Sequence, residues 1–260
     1  MNNKYLIEMK NINKTFGHVE AIKNVDFKVG KAEVVGLVGD NAAGKSTLMK
    51  ILSGVLLPDS GTIFKNGEEI SIKNRMDAKE LGIEMVFQEL AVFDKMDVKG
   101  NIFINREAEL GGFFNSRLMK FWLNEKRMEK RAIELLKNLK IDLPSVRSLV
   151  KNLSGGQRQA VAIARVLLSD ANIIIMDEPT AALAVKEVEK TLNIITSIKK
   201  TGTSVVLISH RMDDIFRVAD RVIVLRRGSK VGERLIKECT PQDVVSLIVG
   251  ATCDFDVECQ

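Results

Sequence analysis

Residues 34–47 read Val34-Val35-Gly36-Leu37-Val38-Gly39-Asp40-Asn41-Ala42-Ala43-Gly44-Lys45-Ser46-Thr47, and this stretch decides the fold. Its first five residues are nearly all apolar, which is typical of a strand buried on both faces. A helix is predicted over about residues 45–53, because Gly54 is placed to end it. A glycine, four further residues and then Gly-Lys-Ser, between a strand and a helix, predict a phosphate-binding loop. A chance glycine turn does not account for the lysine and serine in this context.

The residue types in this loop suit the phosphates of ATP together with Mg²⁺. Backbone N–H groups of the loop and of the first helical turn point at the phosphates, and glycine lets the backbone approach closely. Lys45 would place its ammonium on the β- and γ-phosphates, the Ser46 hydroxyl would bind Mg²⁺, and Thr47 would donate to a phosphate oxygen. The predicted nucleotide-binding residues are Gly39, Asp40, Asn41, Ala42, Ala43, Gly44, Lys45, Ser46 and Thr47.

A second apolar strand, residues 173–176, runs into the carboxylates Asp177 and Glu178. Parallel strands deliver the residues at their carboxyl ends to the ligand edge of a sheet. Asp177 is predicted to hold Mg²⁺ through water, and Glu178 to polarise the water that attacks the γ-phosphate. Many strands end in acidic residues, so this feature supports a catalytic site only because the phosphate-binding loop is also present.

Two more polar side chains are placed at strand ends. His210 follows the predicted strand 205–209 and is placed to contact the γ-phosphate, although a lone histidine more often has a structural role. Gln88 ends the predicted strand 84–88 and is placed to reach the metal or the attacking water. The predicted catalytic residues are Lys45, Gln88, Glu178 and His210, and the predicted metal site consists of Ser46, Gln88 and Asp177.

The composition is that of an ordinary globular protein. The chain has 260 residues, 45% apolar and 28% charged, which is enough for one large domain with a sizeable core. It shows neither the ~20 consecutive apolar residues of a membrane span nor a secretory leader, so we expect a cytosolic protein. The net charge of +5 fits a solvated, lysine-rich exterior better than a nucleic-acid partner. The three cysteines have no metal-ligand spacing, which predicts neither a metal site nor a structural disulfide.

The order of the elements predicts one domain, residues 1–260. Short strands dominate the first third, and strands alternate with helices again after Ser154, which favours an α/β fold with a mostly parallel sheet. In between, the sequence changes character: residues 119–139 are helical by pattern and rich in lysine and arginine. We therefore expect a helical subdomain of about residues 89–153 inserted into the α/β core.

The pentapeptide Leu153-Ser154-Gly155-Gly156-Gln157, called the signature below, completes a set of motifs by which this chain resembles the ATP-binding cassette (ABC) ATPases. The motif order is similar over nearly the whole chain: an adenine-stacking aromatic at Phe16, the phosphate-binding loop, Gln88, the signature, the acidic strand end and His210. The resemblance implies a P-loop NTPase cassette with a mostly parallel sheet core, an N-terminal antiparallel β-subdomain and an inserted α-helical subdomain. Tyr5 competes with Phe16 for the adenine-stacking position.

The residues of the signature suit an anion at the start of a helix. Ser154 can cap that helix, and Gly155 and Gly156 expose N–H groups at its positive end, which suits a γ-phosphate. The resemblance implies that this phosphate belongs to a second copy of the chain. Ser154, Gly155, Gly156 and Gln157 would then bind the nucleotide of the opposite subunit in a head-to-tail homodimer, which ATP closes and hydrolysis reopens.

A finer resemblance, carried by residues 39–41, 176–183 and 208–212, is to the simple-sugar importer branch, which serves ribose-, xylose- or fructose-type monosaccharides. It implies transmembrane permease subunits as partners, docked near residues 88–106, a substrate-binding protein acting indirectly, and a peripheral place on the inner face of the cell membrane. Two residues depart from the family pattern. Ala42 stands where phosphate loops usually carry glycine, and Ala184 where many members have an aspartate that helps the two sites communicate.

Other classes stay open at this point. A non-transport ABC ATPase of DNA repair, chromosome architecture or translation would carry long coiled coils or paired cassettes, and this sequence shows neither. A regulatory or scaffold subunit would bind ATP without hydrolysing it, and the presence of Glu178 and His210 argues against that class. Export in place of import is a further alternative, because the membrane partner sets the direction of transport.

Overall fold

The computed structural model describes residues 5–86, 91–104, 117–169 and 171–251, and for residues 117–124 the backbone only. Within these residues the strands are β1 (Tyr5–Phe16), β2 (Val19–Gly30), β3 (Val34–Val38), β4 (Ser60–Lys65), β5 (Glu68–Ile70), β6 (Ile83–Val86), β7 (Ile173–Asp177), β8 (Ser204–Ile208), β9 (Arg221–Arg226) and β10 (Ser229–Leu235). The helices are α1 (Lys45–Leu52), α2 (Arg75–Glu80), α3 (Val98–Phe103), α4 (Arg117–Asn138), α5 (Gly155–Leu167), α6 (Val185–Lys200), α7 (Met212–Val218) and α8 (Pro241–Val249).

A six-stranded sheet in the order β10-β9-β3-β8-β7-β6 forms the centre of the fold. Each pair of adjacent strands in this sheet is parallel, except for the antiparallel pair β9–β10. The predicted α/β architecture with a mostly parallel sheet is therefore confirmed. Because β3, β7 and β8 are parallel neighbours, the segments that follow them meet at one edge of the sheet.

Successive residues of the central strands point into two different cores. On β8, Val205 and Leu207 join a core that includes residues of α5 and α6, whereas Val206 and Ile208 join a core that includes residues of α1, β1 and β2. Each central strand is thus covered on both faces, which explains its nearly continuous apolar sequence.

A second sheet has four antiparallel strands in the order β2-β1-β4-β5. The β4–β5 hairpin closes through Asn66 and Gly67, both at positive φ (51° and 86°). Positive φ at both central residues is what a type I′ turn requires, and Asn-Gly is its preferred sequence. The N-terminal antiparallel sheet implied by the resemblance is therefore present.

The segment predicted as a helical subdomain contains α3 and α4, and α5 follows it. On α4, Met128, Ala132 and Leu136 are buried in the same core as one face of the central sheet. The boundaries of this subdomain, about residues 89–153, stay a prediction. Among the described residues, no helix combines the length and apolar character that crossing a bilayer requires.

Candidate functional site

The phosphate-binding loop joins β3 to α1 and holds a buried lysine. Lys45 is only 6% exposed, and its Nζ donates to the carbonyl oxygens of Gly39 (2.7 Å) and Asp40 (2.8 Å). Burial lowers the pKa of Lys45, while the carboxylates of Glu178, Asp177 and Asp40 raise it in part. The ammonium is thus held within the loop by two main-chain carbonyls, in a position suited to a phosphate.

Two positions show why the loop needs small residues. Gly44 has φ 100°, and a Cβ atom built on it would lie 2.6 Å from the carbonyl oxygen of Ala21, so only glycine fits there. Ala42 adopts φ 60°, a left-handed conformation that alanine takes only at a cost. The departure noted in the sequence therefore falls on a position whose backbone suits glycine.

Strand β7 brings Asp177 and Glu178 to the same edge of the sheet. The Glu178 N–H donates to the carbonyl oxygen of Ile208 on β8 (3.0 Å), and Glu178 adopts φ 52°. Backbone strain of this kind clusters at functional sites, where the surrounding structure holds it in place. The hydrogen bond to β8 therefore holds the Glu178 backbone in a conformation that glutamate rarely adopts by itself.

The carboxylate of Glu178 is set up to accept a proton. Burial raises the pKa of Glu178, and the neighbouring His210 and Lys45 lower it in part. Its Oε1 atom is buried and has no hydrogen-bond partner among the described residues. His210, which follows β8, is half exposed, and its Nε2 lies 3.3 Å from that same oxygen without forming a hydrogen bond. A buried acceptor of this kind is suited to take a proton from a water molecule.

A cavity of about 950 Å³ unites most of the predicted nucleotide residues. Its lining includes Phe16, Asn41, Ala42, Ala43, Gly44, Lys45, Ser46, Thr47, Asp177, Glu178 and His210. Gly39 and Asp40 act next to it through the carbonyls that bind Lys45. Residues from four separate stretches of the sequence thus face one space, which is large enough for a nucleotide.

Four titratable side chains in this lining were missed by the sequence analysis: His18, Glu20, Lys23 and Arg227. Arg227 stands in the two-residue turn between β9 and β10, at φ 49°. The next residue, Gly228, donates to Ala43 O (3.2 Å) and accepts from the Lys23 N–H (2.7 Å). This packing of the turn against the phosphate loop brings Arg227 to the cavity. The Arg-Gly pair is a turn signal in the sequence, but nothing local shows where the turn packs.

The two candidates for adenine stacking lie in different places. Phe16 lines the nucleotide cavity and is 44% exposed, with Lys14 Nζ 5.7 Å from the centre of its ring. Tyr5 lines another cavity, of about 690 Å³, beside the buried Arg221. Its position separates Tyr5 from the phosphate loop, so stacking on Phe16 stays the prediction.

The signature forms the capped start of α5. Ser154 Oγ accepts from the Gln157 N–H (3.3 Å), and Gln157 Oε1 accepts from the Ser154 N–H (3.0 Å), which is a reciprocal capping box. Ser154, Gly156 and Gln157 line a cavity of about 460 Å³, and its other lining residues are Ala160 of α5, residues of α6, and residues 139–142, which follow α4. Within one chain the signature therefore faces a different cavity from that of Lys45 and Glu178.

Two of the three predicted metal residues lie at the nucleotide cavity. Ser46 and Asp177 line the nucleotide cavity, whereas Gln88 lies outside the described residues. Across the described part of the chain, no group of three or more His, Cys, Asp or Glu side chains is placed to hold a metal ion. One hydroxyl and one carboxylate still fit Mg²⁺, because this ion keeps several waters and takes other oxygens from phosphates.

Sequence comparisons relate the chain to known transporter proteins. The sequence profile of the family described as ABC transporter matches residues 22–181, more than half of the chain. The xylose/arabinose import ATP-binding protein XylG of Sulfolobus acidocaldarius is 40% identical over 245 residues, which are 94% of this chain and 94% of that protein. The ribose import ATP-binding protein RbsA of Caldanaerobacter subterraneus subsp. tengcongensis is 41% identical over 256 residues. That match covers 98% of this chain and 50% of RbsA, so the chain spans about half the length of this relative.

Solved ATP-binding cassettes have a similar fold. The cassette MJ1267 in its ADP conformation matches with a TM-score of 0.79 and 27% identity, over 95% of this chain and 99% of that one. The cassette MJ0796, as a dimer in a post-hydrolysis state bound to ADP and Pi, matches with a TM-score of 0.72 and 27% identity, over 88% and 98%. The predicted cassette fold is therefore confirmed.

Proposed function

The chain belongs to the ABC transporter family, and on that premise we propose that it is the ATP-hydrolysing subunit of an importer for a simple sugar. The observation that carries the ATPase is one cavity that is lined by Lys45 and by Glu178, whose buried Oε1 has no hydrogen-bond partner among the described residues. The sugar is supported by the relatives, which are import proteins for xylose and arabinose or for ribose.

The proposed reaction is hydrolysis of the β–γ phosphoanhydride of ATP. A water oxygen forms a bond to the γ-phosphorus, the bond from that phosphorus to the bridging oxygen breaks, and ADP leaves with the electron pair. Glu178 accepts the proton of the attacking water, and its burial raises its pKa toward the range that suits a general base. Lys45 holds the β- and γ-phosphates, and His210 contacts the γ-phosphate from the end of β8.

Mg²⁺ would be held by Ser46 and Asp177, with Gln88 as a further proposed ligand. When bound, the ion neutralises negative charge on the β- and γ-phosphates. Phe16 stacks on adenine in this proposal, which orients the nucleotide along the cavity toward the phosphate loop.

The complete site requires two copies. Ser154, Gly156 and Gln157 line a cavity other than that of Lys45 and Glu178, so we assign them, together with Gly155, to the γ-phosphate of a second copy in a head-to-tail dimer. ATP then adds contacts that exist only in the closed dimer, which shifts the population toward closure. The dimeric MJ0796 cassette bound to ADP and Pi supports an assembly of two cassettes.

Closure has to act on a membrane partner. We propose permease subunits that dock near residues 88–106 of the helical subdomain, a substrate-binding protein that delivers the sugar, and a location on the inner face of the cell membrane. Cells that lack this chain should lose uptake of radiolabelled ribose or xylose. Unchanged uptake of every pentose and hexose tested would contradict the sugar assignment.

The ATPase itself is tested with Glu178→Gln. This variant should bind ATP, form a stable dimer with it, and lose turnover by ~10²–10⁴-fold, because the general base is gone. Lys45→Ala should weaken ATP binding itself. Glu189→Gln is the matched control, since Glu189 is a surface carboxylate paired with Arg217 at 2.9 Å, away from the cavity. Full turnover by Glu178→Gln would contradict the role of Glu178.

A further inference from the structure

The N-termini of helices α5 and α6 meet at one carboxylate. Glu187 lies in the first turn of α6, and its Oε2 accepts a hydrogen bond from the Ala184 N–H (3.3 Å). Ala184 occupies the N-cap position and has no side chain that can cap the helix. Glu187 therefore provides a cap for α6 from within its own first turn.

The same carboxylate reaches the signature. Glu187 lines the same cavity as Ser154 and Gly156, and the Ser154 hydroxyl is the main reason that the pKa of Glu187 lies below its ordinary range. A Cβ atom built on Gly156 would lie 2.8 Å from Glu187 Cβ and 3.1 Å from its Cδ. Glycine at position 156 thus leaves room for this carboxylate at the tip of α5.

These donors are the ones that the proposed dimer needs. The N–H groups at the start of α5 and the Ser154 hydroxyl are assigned above to the γ-phosphate of the second copy, and in this structure the carboxylate of Glu187 already lies beside them. A carboxylate and a phosphate repel each other and cannot share the same hydrogens. The phosphate must therefore displace Glu187, or it binds with weaker hydrogen bonds from these donors.

We propose that Glu187 belongs to the nucleotide site of the dimer, where it is an intramolecular competitor for the donors that bind the second copy's γ-phosphate. This inference rests on the proposed function. Glu187 caps α6 and lies at the start of the signature helix while the copies are apart, and it raises the ATP concentration that closes the dimer. Nucleotides that lack the γ-phosphate do not displace it, which favours opening after hydrolysis.

The test uses the full chain with Glu178→Gln as the parent, so that bound ATP is not consumed. Dimer formation is followed by light scattering as ATP with Mg²⁺ is titrated. Adding Glu187→Gln removes the charge, while the amide oxygen can still cap α6. The ATP concentration at half-dimerisation should fall by roughly five-fold or more, as expected for the loss of a competing interaction. Glu187→Ala, which removes charge and cap together, should shift the midpoint in the same direction even if it lowers stability.

Glu189→Gln in the same parent is the control, since it removes one negative charge from α6 two residues away without touching α5. Its midpoint should match that of the parent. An unchanged or higher midpoint with Glu187→Gln, in a parent that dimerises with ATP, would overturn the role of Glu187 and leave the ATPase proposal intact. A parent that stays monomeric with ATP would instead contradict the proposed function, and this inference with it.

Discussion

Thr180 Oγ1 donates a hydrogen bond of 2.6 Å to Asp214 Oδ2, and the two residues are 1% and 2% exposed. Thr180 lies in the loop that follows Glu178, and Asp214 lies in the first turn of α7, just after His210. Arg211 Nε is 3.6 Å from the same Asp214 oxygen. This buried bond therefore joins the segment that carries the proposed base to the segment that carries the histidine.

Thr180→Val should lower both stability and turnover. It keeps the shape of the side chain but leaves a buried carboxylate oxygen without its donor, which costs about 1–3 kcal/mol in the free energy of unfolding. If the bond positions Glu178 relative to His210, kcat should fall by about ten-fold while the Kd for ATP stays unchanged. Urea unfolding, steady-state turnover and ATP titration measure the three quantities. Thr180→Ser, which restores the hydroxyl, should recover kcat.

Thr201→Val is the control for a lost threonine hydrogen bond. Thr201 Oγ1 donates to Ile198 O (2.7 Å) at the end of α6, and Thr201 lines none of the three cavities described above. This variant should retain the wild-type kcat. A wild-type kcat for Thr180→Val as well would show that the Thr180–Asp214 bond only stabilises the fold.

The raised pKa of Glu178 has a consequence for stability that depends on pH. Below about pH 4.5, the ordinary pKa of the side chain, Glu178 is protonated in both the folded and the unfolded chain and carries no penalty. As the pH rises through the higher pKa of the folded state, ionisation of the buried carboxyl favours the unfolded chain. Glu178→Gln should therefore be more stable than the wild type at neutral pH, and this difference should vanish below pH 4.5. Denaturant unfolding without nucleotide at several pH values measures it, and a difference that grows toward low pH would contradict the explanation.

The buried parallel strands were the elements that the sequence predicted best. Val34–Val38 appears with the predicted bounds, because a strand covered on both faces is apolar throughout. Strand β10 (Ser229–Leu235) was not predicted, since it is an edge strand, mostly half-buried, with polar residues such as Glu233. The short helices α2, α3 and α7 were also missed, because six or seven residues give too little periodicity to detect.

The same distinction applies to the site. Lys45 and Glu178 could be predicted from the sequence, because each lies in a short contiguous motif whose residue types indicate its role. Arg227 reaches the cavity only because a distant hairpin turn packs on the phosphate loop, and Glu187 reaches the signature only because α6 starts beside α5. Such tertiary proximity has no local pattern in the sequence.

Ala42→Gly should relieve strain in the phosphate loop. Alanine in the left-handed region costs about 1–2 kcal/mol of stability. Glycine removes this cost but lowers stability by roughly 0.5–1 kcal/mol, because it increases the entropy of the unfolded chain. The net gain in the free energy of unfolding should be up to about 1.5 kcal/mol. ATP affinity should stay equal or increase, because the loop reaches its binding conformation at lower cost. Urea unfolding and ATP titration test both effects.

Ala32→Gly provides the comparison, since Ala32 has φ 50° in the turn between β2 and β3, outside the nucleotide cavity. It should show a similar gain in stability with no change in ATP affinity. If Ala42→Gly lost stability while Ala32→Gly gained it, the prediction that Ala42 strains the phosphate-binding loop would be contradicted.

Arg227→Ala should weaken ATP binding by about three- to ten-fold, because it removes an exposed cation from the lining of the cavity that is proposed to hold a polyanion. The loss should shrink as salt is raised, since the interaction is screened. Arg234→Ala removes an equal charge from β10 next to the other cavity, so it should leave the Kd for ATP unchanged. Calorimetric titration at low and high salt separates the two variants. If both lowered affinity equally, net charge would be responsible, and the packing of the β9–β10 turn on the phosphate loop would have no part in nucleotide binding.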